Sequence, residues 1–261
     1  LQPDEGAVLF DGVPIADDAT AAKRRVGYLP EANPLYDELL VAEYLDYVAE
    51  LRGLTPEETR SGVAAAVDET DIGAVFYRPI AECSKGYRQR IGLAAAILHK
   101  PAVLILDEPT EGLDPNQRVE IRRLIADLGR ERTVILSTHI LPEVQFTCSR
   151  LLIITRGRIV ADGPVDELVS RAEDGGRISV EAEGKDVAER LAALPGVLRV
   201  DRRETGGGRA RVTLTSRGPE DLRPRIFDLA RSAGWVLYEL HQEAGSLEDL
   251  FRELTTDQEP V

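Results

Sequence analysis

The chain has 261 residues, of which 43% are hydrophobic and 30% are charged, as in ordinary globular proteins. Its net charge of −14 argues against nonspecific binding to nucleic acid or to anionic lipid, because both need a basic surface. The longest apolar runs, such as residues 102–106, fall far short of the roughly 20 residues that span a bilayer. Two cysteines do not make a disulfide framework, so the sequence predicts a reducing, cytosolic setting.

Strand patterns alternate with helix patterns along the first part of the chain. Short apolar runs indicate the strands, and apolar residues at three- and four-residue spacing indicate the helices. The predicted elements are a hairpin turning at Asp11-Gly12, a strand over 25–30, helices over 41–51, 55–70 and 85–100, a buried strand over 102–108, a helix over 116–131, a second buried strand over 132–139, and a hairpin turning at Gly157. This order predicts an α/β fold with a parallel sheet, which binds ligands outside the carboxyl ends of its strands.

The sequence changes character after about residue 173, where "EDGGR" is typical of a linker. We therefore expect two domains, residues 1–172 and 173–261. The second is predicted to contain strands over 178–183, 197–203, 209–215 and 235–241, helices over 186–194 and 219–233, a Gly-rich turn at 206–208, and a final helix capped by Ser246. The β-α-β-β-α-β order predicts a small α+β domain of the split-βαβ type.

Polar side chains stand where the two buried strands end. The stretch "LILDEPTEGLDP" places Asp107 and Glu108 directly after an apolar run, and Asp114 follows in the same segment. The next strand ends in "STH", which contains His139. Two acids at a strand end are more often a solvated turn, but carboxylates that meet at one sheet edge can serve a metal ion and a water molecule.

Three stretches in this order and spacing resemble the ATP-binding cassette (ABC) ATPases over about residues 1–170. "CSKGYRQR" (83–90) resembles the signature motif, usually written LSGGQ-x-Q-R, and "VLILDEPTEGLDP" (103–115) resembles the Walker B segment, its glutamate and the D-loop. "ILSTHILPEV" (135–144) resembles the switch-histidine region, and the segment from Gly27 resembles the Q-loop region. The resemblance implies a P-loop NTPase sheet of the ABC type, with a helical subdomain at about 32–98.

The resemblance also implies roles for individual residues. Asp107 would bind Mg²⁺, Glu108 would polarise the attacking water, and His139 would contact the γ-phosphate side. Ser84 and Gly86, at a helix N-terminus, would grip ATP held by a second copy, and Asp114 would couple the two sites. The other positions implied to lie near nucleotide are Glu31, Lys85 and Tyr87. The implied cofactors are ATP and Mg²⁺, sandwiched in a homodimer.

This sequence departs from the family pattern at three of these positions. Lys85 replaces a glycine, Tyr87 replaces the signature glutamine, and Glu31 stands where the Q-loop usually has glutamine. Lys85 either adds positive charge beside phosphate or is a solvated lysine. Ser84 also fits a plain helix N-cap.

A larger departure is that the 261 residues contain neither a G-x-x-x-x-G-K-[ST] phosphate loop nor any methionine. In the family this loop lies a helix upstream of a segment like the one that begins at Leu1. We therefore expect a fragment that begins after the phosphate loop. The 261-residue chain is expected to bind ATP poorly and to hydrolyse little, because that loop supplies the backbone N–H groups and the lysine that hold the phosphates.

Within the family, the sequence looks most like bacterial exporters of the multidrug and gliding-motility types. Their cassette dimer drives a separately encoded membrane permease from the cytoplasmic face of the membrane, and a small accessory domain follows the cassette. Residues 32–80 would hold the groove for the permease's coupling helix. Candidate contacts are Asn33, Pro34, Leu35 and Tyr36, although a plain turn is about as good an interpretation. For the accessory domain, we rank support of the dimer first.

Two alternatives belong to other functional classes. A soluble ABC ATPase that works on ribosomes or DNA is disfavoured by the acidic balance and the single set of motifs, so no nucleic-acid partner is expected. A non-catalytic regulatory cassette is disfavoured because Glu108 and His139 are both present.

Overall fold

The computed structural model describes residues 3–173, 177–204, 209–216, 221–243 and 247–256. Two compact units are distinguished, residues 1–147 and 148–261. Residues 174–176 of the predicted linker, the Gly-rich turn at 206–208 and the Ser246 cap lie outside the described residues. The domain boundary expected at residue 172 rests on sequence character and stays a prediction.

The first unit contains the predicted strands and helices. In chain order these are β1 (Leu9–Phe10), β2 (Val13–Pro14), α1 (Ala19–Arg24), β3 (Val26–Leu29), α2 (Val41–Leu51), α3 (Pro56–Thr70), α4 (Lys85–Ile97), β4 (Val103–Asp107), α5 (Pro115–Leu128), β5 (Thr133–Ser137) and α6 (Leu141–Thr147). The sequence patterns did not predict α1 and α6. Both span two turns or fewer, which is too short for a helical repeat of apolar residues to register.

The first unit contains a three-stranded parallel sheet in the order β3-β4-β5. The predicted parallel arrangement is confirmed. One face carries Leu29, Leu104 and Leu106, which are buried in the apolar core. The opposite face carries Tyr28, Ile105 and Ile135, which lie in one cross-strand row and are exposed. The buried face fixes the register, since a slip of one residue would turn the leucines to solvent.

The segment between β3 and β4 is helical, and α2, α3 and α4 pack on one another. Helix α3 starts sharply because Thr55 accepts a hydrogen bond from the Glu58 N–H, while the Glu58 carboxylate accepts one from the Thr55 N–H. Helix α4 is buried along most of its length, from Ile91 to Ile97. Gly62 of α3 lies directly on the Leu98 carbonyl, so the two helices approach closely at that point.

The second unit confirms the split-βαβ arrangement. Its elements are β6 (Arg150–Thr155), β7 (Arg158–Pro164), α7 (Val165–Glu173), β8 (Arg177–Glu183), α8 (Val187–Ala192), β9 (Val197–Glu204), β10 (Arg209–Ser216), α9 (Arg223–Ala233), β11 (Val236–Glu243) and α10 (Leu247–Thr256). Strands β8 to β11 form an antiparallel sheet in the order β11-β8-β10-β9. The hairpin β6-β7 precedes α7, which packs against α10. Of the helices described, none combines the length and the apolarity that crossing a membrane requires.

The close approach of α3 and α4 generates a stability prediction. A Cβ atom added at Gly62 would lie 2.3 Å from the Leu98 carbonyl oxygen. Gly62→Ala should therefore destabilise the first unit by about 2 kcal/mol or more, although alanine is the better helix former. Gly73→Ala is the matched control, because the nearest atom there is 3.9 Å away. The measurement is urea unfolding followed by far-UV circular dichroism. If both variants unfolded at the same urea concentration as the parent, this packing would be contradicted.

Candidate active site

The parallel register of β4 and β5 brings their last residues side by side, Asp107 opposite Ser137. The Ser137 hydroxyl donates a hydrogen bond of 2.5 Å to Asp107 Oδ1. The next residue, Glu108, donates its N–H to the Ser137 side chain and to the Ser137 carbonyl, each at 3.2 Å. Glu108 has a φ of +44°, which is uncommon for a residue other than glycine. This turn directs the chain across the end of β5.

The Glu108 carboxylate contacts the imidazole of His139, with 3.0 Å between Oε1 and Nδ1. The hydrogen bond and the negative charge of Glu108 raise the pKa of His139 above its ordinary value. The other carboxylate oxygen, Oε2, is buried and has no hydrogen-bond partner among the described residues. A buried carboxylate oxygen of this kind is able to accept a hydrogen bond from a water molecule.

Four carboxylates gather at this end of the sheet, from Glu31, Asp107, Glu108 and Glu111. Their mutual repulsion is visible in the pKa of Glu31, which is raised chiefly by Glu111, then by burial, and further by Asp107 and Glu108. Hard oxygen donors of this type suit Mg²⁺, which usually takes one or two carboxylates and completes its shell with water and phosphate. Among the described residues, no group of three or more His, Cys, Asp or Glu side chains is arranged so that it could hold a metal ion by itself.

Helix α4 begins at the other candidate residues. Ser84 is its N-cap, and the Ser84 hydroxyl oxygen accepts a hydrogen bond of 3.3 Å from the Tyr87 N–H. The Tyr87 side chain packs partly against the apolar core, so it points inward. Gly86 is buried against Gln117, where a Cβ atom would lie 2.9 Å from the amide carbon. The backbone N–H groups of the first turn of α4 therefore lie beside two small residues, Ser84 and Gly86.

Helix α4 is joined to the turn that follows Glu108. The buried Gln89 amide donates a hydrogen bond of 2.8 Å to the Pro109 carbonyl. The Lys85 ammonium lies directly over Gly112, which has a φ of +66°. Asp114 then caps α5 by accepting hydrogen bonds from the N–H groups of Asn116 and Gln117, both at 3.0 Å. The start of α4, the turn over 109–114 and the start of α5 therefore form one connected group.

A second buried contact links the same turn to α6. The Thr110 hydroxyl donates a hydrogen bond of 2.6 Å to Glu143 Oε2, and both residues are buried. The segment that contains His139 leads directly into α6. The Thr110–Glu143 contact therefore ties the Glu108 segment to the His139 segment.

The predicted site residues fall into two groups. Glu31, Asp107, Glu108 and His139 meet at the end of the parallel sheet. Ser84, Lys85, Gly86 and Asp114 meet at the starts of α4 and α5 through Gly112 and Gln117. Sequence reasoning missed the parts played by Ser137, Glu111, Gln89 and Glu143. Only Ser137 carried a usable signal, because it stands where the "STH" stretch ends a strand parallel to β4.

Comparison with known proteins agrees with this fold. A family model described as "ABC transporter" matches residues 1–111. The Nod factor export ATP-binding protein I of Burkholderia pseudomallei is 34% identical over 97% of this chain and 80% of its own length. The solved structure of cbiO1 from Clostridium perfringens, part of the ABC transporter complex cbiONQ, covers 66% of this chain and 74% of its own, with 28% identity and a TM-score of 0.58. The chain belongs to the family of ABC transporter ATP-binding proteins.

The extent of the match varies among relatives. An uncharacterized ABC transporter ATP-binding protein from Synechocystis is 36% identical over 62% of this chain, which spans only 46% of that protein's length. The predicted P-loop NTPase fold is confirmed at the level of this family.

The Glu108–His139 contact predicts how His139 titrates. Because the folded state raises its pKa, the charged imidazolium stabilises the fold at acidic pH, and this contribution is lost as the pH rises through the raised value. Glu108→Gln should return the pKa of His139 towards its ordinary value. Heteronuclear NMR can follow all three histidines, and His99 is an internal reference because burial and Arg52 lower its pKa to about 4. An unchanged His139 titration in Glu108→Gln, against Glu131→Gln as control, would contradict the contact.

The buried Thr110–Glu143 hydrogen bond predicts a further effect. Thr110→Val keeps the shape of the side chain but leaves the Glu143 carboxylate without its donor. We expect a loss of about 2 kcal/mol of unfolding free energy, since an unpaired buried polar group is costly. Thr110→Ser, which keeps the hydroxyl, should recover most of this stability, and the exposed Thr133→Val should change little. Chemical denaturation measures all three variants, and equal stability of the valine and serine variants at position 110 would refute the interpretation.

Proposed function

We propose that this chain is the ATP-binding and ATP-hydrolysing subunit of an ABC exporter. The observation that carries the proposal is the Glu108–His139 contact beside Asp107, at the carboxyl end of a parallel sheet. A water-orienting carboxylate next to a residue on the phosphate side is the arrangement that nucleotide hydrolysis needs. Membership in the family supports this assignment.

Each residue has a distinct task in the proposed reaction. Asp107 would hold Mg²⁺ through its carboxylate, whose Oδ1 accepts the hydrogen bond from Ser137. Glu108 orients the attacking water through its unpaired Oε2 and is itself held by His139 through Oε1. When bound, Mg²⁺ neutralises charge that develops on the phosphate oxygens. The carboxylates near Glu31 would otherwise repel a nucleotide, so binding is expected to depend strongly on the metal ion.

The second group of site residues is proposed to act on ATP bound by another copy of the chain. Ser84 and Gly86 present the positive end of α4, which favours an anion such as a terminal phosphate. Asp114 and Lys85 lie in the same connected group and would transmit closure of the dimer to the turn after Glu108. The proposed assembly is a homodimer with two ATP molecules between the copies. The contact between Glu108 and His139 argues against a non-catalytic regulatory role.

The proposed transporter includes a separate membrane permease, with this chain on its cytoplasmic face. The names of relatives, such as Nod factor export ATP-binding protein I, support export. The helical segment between β3 and β4 is the proposed docking surface. Of the candidate contacts, Asn33 turns inward to donate a hydrogen bond to the Arg88 carbonyl, whereas Pro34 and Tyr36 are exposed. Exposed residues are the better candidates for contact with the permease.

Steady-state hydrolysis of Mg-ATP tests the proposal. Because the 261 residues contain no phosphate loop, the chain as given should hydrolyse little. A chimera that places the phosphate-loop segment of a family member before Leu1 should be active. Glu108→Gln in that chimera should lower kcat by roughly 100-fold or more, since it removes the group that orients the water.

The exposed variant Glu131→Gln provides the control for charge and should keep the activity of the chimera. Nucleotide hydrolysis by the Glu108→Gln chimera at the rate of the parent would overturn the proposed role of Glu108. Tight ATP binding by the chain as given would overturn the expectation that it needs a phosphate loop.

A further inference from the structure

The outer edge of β11 is open in the second unit. Strand β11 lies at one end of the four-stranded antiparallel sheet, and in the described part of the chain only β8 pairs with it. This pairing shifts at Tyr238 and is regular from Glu239 to Glu243. A regular edge strand carries a row of backbone N–H and C=O groups with which another strand can pair. None of the candidate site residues lies in β11, so the proposed ATPase chemistry leaves this edge unused.

The two edge strands of this sheet differ in their side chains. Strand β9 has the sequence VLRVDRRE, in which acids and arginines predominate, whereas β11 has the sequence VLYELHQE, which is more apolar. Charged side chains along an edge disfavour pairing with a further strand. Val236 and Tyr238 of β11 are about half exposed, and α9, which packs against β11, carries the exposed Phe227. Of the two edges, that of β11 therefore suits a further strand better.

The polar side chains of β11 indicate which strand would fit. Glu239 and His241 lie on the same face of the strand and contact each other, with 3.2 Å between Oε1 and Nδ1. A second contact, 3.3 Å from Arg211, holds the Glu239 carboxylate on this face. If two copies of β11 pair antiparallel about a twofold axis at Leu240, Glu239 of each copy lies opposite His241 of the other. A carboxylate accepts a hydrogen bond from an imidazole, so the two strands are complementary, and the symmetry provides this pair twice.

Neighbouring registers lack this match. An axis at Glu239 would set that carboxylate opposite its own copy, and an axis at His241 would do the same for the imidazole. An axis between two residues would set the core face of one strand against the open face of the other, which the pleat forbids. The axis at Leu240 instead sets this half-buried side chain opposite its counterpart, beside the apolar core of each copy.

We infer that two copies of this chain associate through the outer edges of β11, so that their four-stranded sheets join into one continuous sheet with its twofold axis at Leu240. The sequence suggests only a general role in the dimer for this part of the chain, whereas the register names the surface, its partner and its symmetry. The inference does not depend on nucleotide or on the proposed function. The paired segment is short, so the association is reversible rather than permanent.

Sedimentation velocity of the full 261-residue chain, without nucleotide and over a range of concentrations, tests the inference. The parent should show a reversible equilibrium between monomer and dimer. His241→Glu sets glutamates opposite each other at two places, so it should weaken the dimer by roughly tenfold or more. Glu239→His combined with His241→Glu exchanges the two partners and should recover most of the association.

Two variants control for added negative charge: Arg199→Glu on the edge strand β9, and Gln145→Glu at an exposed position of the first unit. Both should keep the affinity of the parent, and far-UV circular dichroism checks that each variant is folded. A parent that stays monomeric, an undiminished dimer in His241→Glu, or an exchanged variant as weak as His241→Glu would each overturn the inference. Loss of the dimer in Arg199→Glu alone would place the contact at β9 and overturn it as well. None of these results bears on the ATPase chimera, so failure of the inference and failure of the proposed function are distinguishable.

Discussion

The candidate active site depends on the parallel pairing of β4 with β5. This pairing sets Asp107 opposite Ser137, and the turn that follows lets Glu108 reach across the end of β5 to His139. The register is held by burial, because Leu104 and Leu106 face the core while Ile105 faces the other way. A shift of one residue would expose the leucines. It would also separate Asp107 from Ser137 and Glu108 from His139. The chemistry of the site is therefore a consequence of core packing.

Two buried polar contacts extend this arrangement outward from the sheet. Gln89 fixes α4 to the Pro109 carbonyl, and Glu143 fixes α6 to Thr110. Both hydrogen bonds end on the short turn after Glu108. This turn therefore contacts the start of α4, the start of α5 and the segment that contains His139. Buried polar contacts are costly when unpaired, which makes each of them a strong constraint on position. A displacement of this turn would therefore shift residues in both groups of site residues.

A groove of about 750 Å³ between α2 and α3 adds a surface of different character. The sheet edge gathers carboxylates around a proposed metal and nucleotide, whereas the groove combines an apolar floor with an acidic rim, formed by Val63, Val67 and Phe76 and by Asp46 and Glu50. Both surfaces carry negative charge, in agreement with the net charge of −14. Helices α2, α3 and α4 pack on one another, so the helical segment connects the groove with the N-terminal end of α4.

The sequence by itself determined the longer helices, the parallel sheet, the split-βαβ unit and the family, since apolar periodicity and motif spacing are local properties. It also predicted Asp107, Glu108 and His139 as candidates, because their motifs follow the apolar runs of β4 and β5. Only the tertiary structure revealed that Glu111 raises the pKa of Glu31, that Glu143 reaches Thr110, and that Lys85 lies over Gly112. These contacts join residues that are far apart in the chain or separated by a turn of unusual backbone geometry. Their formation depends on packing distances, which no local pattern encodes.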